Sequence, residues 1–140
     1  MTIAHPFSAA RLSRRFVLAF AVLGAAFRQA RAAMTIAVTA QSGVPFRCTH
    51  SDWRVDAQGK EWPVTLQYTA RPAHGSVHTE VSLQPKALRN GTIKTVHVAD
   101  WIYQSKKGFV GQDSFTYRHV TADPTDTRNG SEYTVAVTVR

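Results

Sequence analysis

Apolar and polar residues alternate along most of the chain after residue 33, with the period of two that is typical of half-buried β-strands. The alternation is clearest in six segments, whose apolar sets begin at Ile36, Val64, Val77, Val96, Phe115 and Tyr133. Two weaker strands are predicted around 46–50 and 53–55. No stretch of this part of the chain has the 3.6-residue period of an amphipathic helix. The pattern therefore predicts an all-β domain.

Short turn signals separate the predicted strands. Asn-Gly pairs occur at 90–91 and 129–130, and each is typical of a tight turn. The residues Pro-Ala-His-Gly at 72–75 join the strand that begins at Val64 to the one that begins at Val77, and they predict a hairpin there. Short strands at this spacing favour an antiparallel sandwich or barrel.

The first 32 residues have a different composition from the rest. They contain five arginines and no acidic residue, and a basic stretch at 11–15 precedes an apolar run at 16–27. The segment ends in Ala-Arg-Ala at 30–32, a pattern that signal peptidase accepts. A helix of that apolar run would reach about 18 Å, which is well short of a roughly 30 Å hydrocarbon core. We therefore expect a signal helix at 1–32 that is cleaved, one domain at 33–140, and export to the periplasm or beyond, with no stable membrane span.

The basic part of this leader also resembles a twin-arginine signal at 13–18, Ser-Arg-Arg-Phe-Val-Leu. It departs from that pattern at Val17, where Phe is usual, and at Ala19, where Lys is common. Arg28 and Arg31 follow the apolar run, and the twin-arginine route tolerates charge there. We favour this route and keep general secretion as the alternative.

Charge and cysteine content narrow the functional classes. The whole chain has 17 basic and 9 acidic residues, a formal charge of +8. Without the five leader arginines the count is 17 − 5 = 12 against 9, so the domain at 33–140 carries only +3. Twelve scattered cations do not make the clustered footprint of a nucleic-acid-binding face. Cys48 is the one cysteine, so no internal disulfide forms, and we expect it to be a small buried apolar residue.

The most specific stretch is Gly-Phe-Val-Gly-Gln-Asp-Ser-Phe-Thr-Tyr at 108–117. Two glycines free the backbone for a tight approach, and an aspartate is then placed to accept hydrogen bonds from turn amides before a strand with inward-facing aromatic residues. These motif residues are Gly108, Gly111, Asp113, Phe115 and Tyr117.

Together with 72–77, Tyr103 and the closing run at 133–139, this stretch resembles bacterial Ig-like domains of the cadherin-like kind. The matched blocks span 72–139, which is about half the chain. The resemblance implies an Ig-like, antiparallel, Greek-key β-sandwich of about seven strands. It also implies a binding or structural role in the bacterial envelope, such as cell adhesion or protein–protein interaction.

The resemblance implies roles for two further positions, and the chain departs from the family in two respects. Tyr117 would be a corner tyrosine at the start of a strand, with a buried ring and a hydroxyl bonded to upstream backbone. His119 would occupy the position of a disulfide cysteine, so Cys48 has no thiol opposite it. The chain differs from the family in having one domain instead of an array, and in a longer segment at 121–130.

Two kinds of metal site could draw on residues of this chain. Calcium could use Asp113, Asp123 and Asp126, but these lack the Asp-x-Asp-x-Asp-Gly spacing, and turn formation explains them better. The alternative function is a periplasmic metal-binding protein that uses Cys48 and histidines. The only close spacings for that function are 48–50 and 74–78, and scattered histidines are more often surface or packed residues.

The remaining candidates are tryptophans. Trp101 is predicted to be core. Trp53 and Trp62 flank the turn at 56–60; core packing is favoured for both, and contact with a sugar or a protein is the alternative. The sequence contains no nucleophile elbow, phosphate-binding glycine loop or RNA-binding aromatic platform. It therefore predicts a non-catalytic binding or structural module with no cofactor and with a protein or carbohydrate partner.

Overall fold

The computed structural model describes residues 33–140, so the predicted signal segment lies outside the described residues. Seven β-strands make up this part of the chain: β1 Met34–Ala40, β2 Phe46–Arg47, β3 Val64–Ala70, β4 Gly75–Ala87, β5 Ile93–Ser105, β6 Gly111–Thr121 and β7 Glu132–Val139. Of the two weaker predicted strands, one is the short β2 and the other is reduced to an isolated bridge between Val55 and Glu61. The all-β prediction is confirmed. Between residues 33 and 140 no helix has the length and hydropathy to cross a membrane.

The strands form two sheets, with the orders β1-β7-β6-β3 and β2-β5-β4. β1 pairs with β7 in parallel, and every other strand pair is antiparallel. Strands that follow one another in sequence thus often lie in different sheets, which is the Greek-key order of an Ig-like sandwich. The predicted fold class is confirmed for the described residues.

The predicted hairpin at 72–75 is wrong. β3 pairs with β6 and β4 pairs with β5, so this turn carries the chain from one sheet to the other. Both strands alternate apolar and polar residues because each has one face toward the core, and this pattern is the same for hairpin neighbours and for strands in facing sheets.

Aromatic residues fill the space between the sheets. Trp101 of β5 meets Phe115 of β6 edge to face at 5.1 Å between ring centroids, and Tyr103 stacks on Phe115 at 6.1 Å. All three side chains are buried, so the core assignment of Trp101 is confirmed. β5 is buried on its other face as well, where Val96 and Val98 have no exposed surface.

The β4–β5 hairpin is longer than the strands that cover it. β4 and β5 have 13 residues each, whereas β3 has 7. Val77 of β4 is therefore buried, while Val81 and Leu83 on the same face are 61% and 62% exposed. The alternation predicted for β4 is present, but its second half has no sheet above it.

Candidate functional site

The 108–117 motif places Asp113 where it gathers donors from three parts of the chain. Its Oδ1 accepts from the amides of Ala73 at 3.0 Å and Ser114 at 2.9 Å. Its Oδ2 accepts from the amide of His74 at 3.1 Å and from the hydroxyl of Tyr103 at 2.9 Å. Asp113 does bind turn amides, as predicted. They belong mainly to the turn that crosses between the sheets, and Asp113 itself is the third residue of β6.

The other motif residues also serve the scaffold. Gly108 and Gly111 have φ angles of +85° and +139°, which residues other than glycine rarely adopt. Phe115 and Tyr117 follow with 1% exposure each, on the inner face of β6.

The corner role of Tyr117 is only partly right. Its ring is buried and stacks on Tyr133 with 5.2 Å between centroids. Its hydroxyl, however, donates to the side chain of Asp52 at 3.4 Å, and not to backbone, and the residue lies inside β6 and not at its start. The segment that follows β2 brings Asp52 over this end of the core, which supplies an anionic acceptor in place of a carbonyl. Burial, with the carboxylate of Asp52 beside it, raises the pKa of Tyr117.

His119 is fully buried between two carboxylates. Its Nδ1 lies 2.7 Å from Oδ1 of Asp52, and its Nε2 lies 2.9 Å from Oδ2 of Asp126. The two ring nitrogens thus join Asp52 and Asp126 through one buried side chain. The position that the resemblance would match to a disulfide cysteine holds a histidine in contact with two carboxylates.

Two arginines complete what we term the acid–histidine cluster, made of Asp52, Arg54, His119, Asp123, Asp126 and Arg128. Arg54 Nε lies 2.5 Å from Oδ2 of Asp123, and Arg128 donates its backbone amide to Asp126 at 3.0 Å. Burial acts to raise the pKa of Asp126, but the amide and charge of Arg128 and the imidazole of His119 outweigh it and hold that pKa below its ordinary value. The three carboxylates of the cluster are thus engaged by two arginines and by the imidazole of His119.

The structure does not bring together the three carboxylates considered as a calcium alternative, Asp113, Asp123 and Asp126. Asp113 lies near the start of the 11-residue strand β6, whereas Asp123 and Asp126 follow its end, a separation of about 30 Å along the strand. Asp123 and Asp126 are also engaged by Arg54, Thr125 and His119. These carboxylates cannot belong to one coordination cage.

The metal-binding alternative based on Cys48 and histidines finds no assembled site. Among residues 33–140, no group of three or more His, Cys, Asp or Glu side chains is arranged to hold a metal ion. The Cys48 thiol is buried, as predicted, and donates to Oδ1 of Asp100 at 3.5 Å. Burial and the charge of Asp100 raise the pKa of Cys48 to about 12. His74 is stacked on Phe109 at 4.2 Å.

Neither tryptophan of the candidate ligand-contact pair is fully exposed. Trp53 and Trp62 are both partly buried. The indole of Trp62 donates to Oδ2 of Asp56 at 2.8 Å, and the ammonium of Lys60 lies 3.7 Å from the centroid of its ring. The turn at 56–60 therefore uses Trp62 internally and covers one face of its ring.

An exposed apolar surface lies on the β4–β5 hairpin. It includes Val81, Leu83 and Ile93, the last of which is 64% exposed. A cleft of about 370 Å³ lies where β4 and β5 continue past the start of β3, and it is lined by Glu61, Pro63, Val64, Val81, His97 and Ala99. The end of the hairpin, residues 84–95, carries three cations and no acidic residue.

Sequence reasoning missed two of these features for different reasons. His119 falls on the inward set of β6 with Phe115 and Tyr117, so its parity alone indicated a buried histidine that needed polar partners. The open face around Val81 had no such signal, because it depends on where β3 begins.

No protein-family model matches the chain, and no curated protein matches it at a significant level. Among solved structures, it is similar to a cysteine protease inhibitor from Entamoeba histolytica, with 11% sequence identity, a TM-score of 0.37, and coverage of 76% of this chain and 92% of that one. A likeness of this size carries no argument about function.

Proposed function

We propose that this chain is an exported, non-catalytic Ig-like module of the bacterial envelope that acts by binding another protein. The observation that carries the proposal is the contrast between its two notable regions. Exposed apolar side chains lie on the β4–β5 hairpin, whereas His119 and the carboxylates of the acid–histidine cluster are buried and engaged with one another and with arginines.

The polar cluster is a poor basis for catalysis. Both nitrogens of His119 contact carboxylates, so within residues 33–140 this imidazole has no free nitrogen to act as a base. Cys48 has a raised pKa and is not a ready thiolate nucleophile. These contacts favour a structural role for the cluster, in which it fastens loops to the sandwich.

The hairpin surface fits a protein partner better than a carbohydrate. Apolar side chains beside cations are common at the centre and rim of protein interfaces. Sugar recognition usually presents an open aromatic face, and Trp62 has one face covered by Lys60.

Export is tested by cell fractionation with intact-mass measurement. The expected product outside the cytoplasm begins at Ala33, and replacing Arg14 and Arg15 together by Lys should block export by the twin-arginine route. Unchanged secretion of that variant would assign the general pathway. An unprocessed chain confined to the cytoplasm would overturn the export proposal.

Binding is tested by placing a photo-crosslinking residue at Ile93 in the cells that produce the protein. The matched control is Val110, which is 68% exposed and lies in the loop between β5 and β6. We expect one discrete adduct with another protein at Ile93 and none at Val110. Equal labelling at the two positions, or none at Ile93, would contradict a hairpin-centred binding surface.

A further inference from the structure

We propose that two copies of this chain pair through the free edge of β4, about a two-fold axis at Val81. The inference goes beyond the proposed function, because it concerns self-association of the purified protein and needs neither export nor a second protein. It follows from which backbone groups of β4 are free, and where.

The hairpin turn fixes the direction in which each β4 residue points its backbone groups. The amide of Leu88 donates to the carbonyl of Thr92 at 2.8 Å, so this pair is a hydrogen-bonded pair of the β4–β5 ladder. Such pairs alternate along an antiparallel ladder, and even-numbered residues of β4 therefore bond to β5. Odd-numbered residues direct their N–H and C=O groups to the free edge. Arg71 agrees with this assignment, because it donates to the carbonyl of Val77 at 2.7 Å.

The free edge is closed at both ends. Arg71 occupies the carbonyl of Val77, and Pro85 has no N–H to offer. Between them, the outward-pointing positions are Thr79, Val81 and Leu83. Val81 is the midpoint of this stretch. A two-fold axis there therefore sets each unpaired N–H of one copy opposite an unpaired C=O of the other.

The symmetric register follows directly. Val81 lies opposite Val81 of the second copy, and Thr79 of each copy lies opposite Leu83 of the other. Three hydrogen-bonded residue pairs of this kind supply about six interchain backbone bonds. Each copy presents the same patch, as a closed two-fold interface requires.

The side chains on this edge suit burial. Natural edge strands are usually protected by charges or by a covering loop. Here the inner-face positions Val81 and Leu83 are apolar and more than half exposed. Val81 also lines the cleft beside β3, so Val81 of the second copy would sit at the mouth of that cleft.

The charges on the outer face do not oppose the pairing. In this register Glu80 lies opposite Ser82 and His78 lies opposite Gln84, so no like charges face each other. The Glu80 carboxylate keeps its contact with Arg47 on its own copy.

The first test measures the mass of the purified protein by sedimentation between about 1 and 100 µM, where weak strand-mediated dimers assemble. We expect a concentration-dependent dimer. Val81→Lys places two ammonium groups opposite each other and should weaken association at least tenfold. Val110→Lys is the control, since that residue has similar exposure and lies away from the edge. Matching thermal melts would show that both variants fold. A monomer at every concentration, or a Val81→Lys dimer as strong as the unchanged one, would overturn the proposal.

The second test fixes the register. Paired Val81 residues have a Cα separation of about 5.5 Å, within the range of a disulfide, so Val81→Cys should form a covalent dimer on oxidation. Leu83→Cys is the control, because its two copies would stand about 13 Å apart along the strands. Cross-linking of Leu83→Cys but not Val81→Cys would refute this register.

A monomeric protein that still forms the Ile93 adduct would refute dimerisation alone and leave the proposed function intact. An Ile93 adduct of twice the chain mass would instead count against a separate protein partner.

Discussion

The side chain of Asp113 accepts four hydrogen bonds. It joins the crossing turn at 72–75, the inner face of β5 through Tyr103, and the first residues of β6. A carboxylate suits this place because it accepts several hydrogen bonds at once, and the groups it binds would otherwise be buried without partners.

Asp113→Ala should lower the free energy of unfolding by about 3 kcal/mol, because several donors lose one shared acceptor. Tyr103→Phe removes a single donor and leaves Asp113 its amides, so we expect a loss of about 1 kcal/mol. Urea denaturation of both variants measures the difference. An unchanged stability of Asp113→Ala, together with loss of a calcium-dependent stabilisation, would mark a ligand site instead.

Tyr117 gives a sharper version of the same test. Its hydroxyl makes a long contact to Asp52, which also has His119 as a partner, so Tyr117→Phe should cost less than about 1 kcal/mol. Tyr117→Ala leaves a cavity in the aromatic core and should cost about 3–5 kcal/mol. A larger loss for the Phe variant, measured by the same denaturation, would restore the backbone-bonded corner.

Residue-scale predictions from the sequence succeeded where parity decides the outcome. Burial of Phe115 followed from alternation, the acceptor role of Asp113 from turn chemistry, and burial of Cys48 from its being a lone cysteine. The partners of His119 did not, because Asp52 is 67 residues away and Asp126 approaches from a loop. Local patterns indicate which side chains are buried, but the tertiary fold decides what they meet.

At the scale of elements, the error at the crossing turn is instructive. β3 and β4 show the alternation and the short Pro/Gly link of a hairpin, yet they lie in different sheets. Local sequence does not encode which strand becomes the hydrogen-bonded neighbour. The contact that opposes a hairpin is made by Asp113, whose carboxylate accepts from the amides of Ala73 and His74 and holds the turn against β6.

Gly75 shows how closely this turn approaches β5. A Cβ added there would lie 2.4 Å from the carbonyl oxygen of Gln104, which is backbone and cannot move alone. Gly75→Ala should therefore cost about 3 kcal/mol, at the upper end of overpacking effects. Gly91→Ala is the control: it has a φ of +82° but no neighbour within 4 Å, so only the conformational cost of about 1 kcal/mol applies. Equal melting temperatures for the two variants would contradict the close approach.

At the scale of the whole molecule, the acid–histidine cluster connects two long irregular segments to the sandwich. Asp52 lies in the segment between β2 and β3, and Asp126 lies between β6 and β7. His119 of β6 contacts both. No disulfide joins residues 33–140, and these contacts of His119 hold the two loops to the sandwich.

This arrangement predicts that acid weakens the fold. The pKa of Asp126 is lowered on folding, so its contribution to stability is present above its ordinary pKa of 3.8 and is lost as the pH falls through the lower folded-state value. Asp126→Asn should cost about 3 kcal/mol at pH 7, because a neutral amide replaces a buried carboxylate that accepts from the Arg128 amide and contacts His119. It should then lose less further stability than the unchanged protein between about pH 5 and pH 3, since the titrating group is gone.

Glu132→Gln is the control, because Glu132 pairs with Arg118 at the surface and its removal should cost less than about 1 kcal/mol. Urea denaturation at several pH values compares the three proteins, and an acid-induced loss in Asp126→Asn equal to that of the unchanged protein would show that Asp126 does not govern the response.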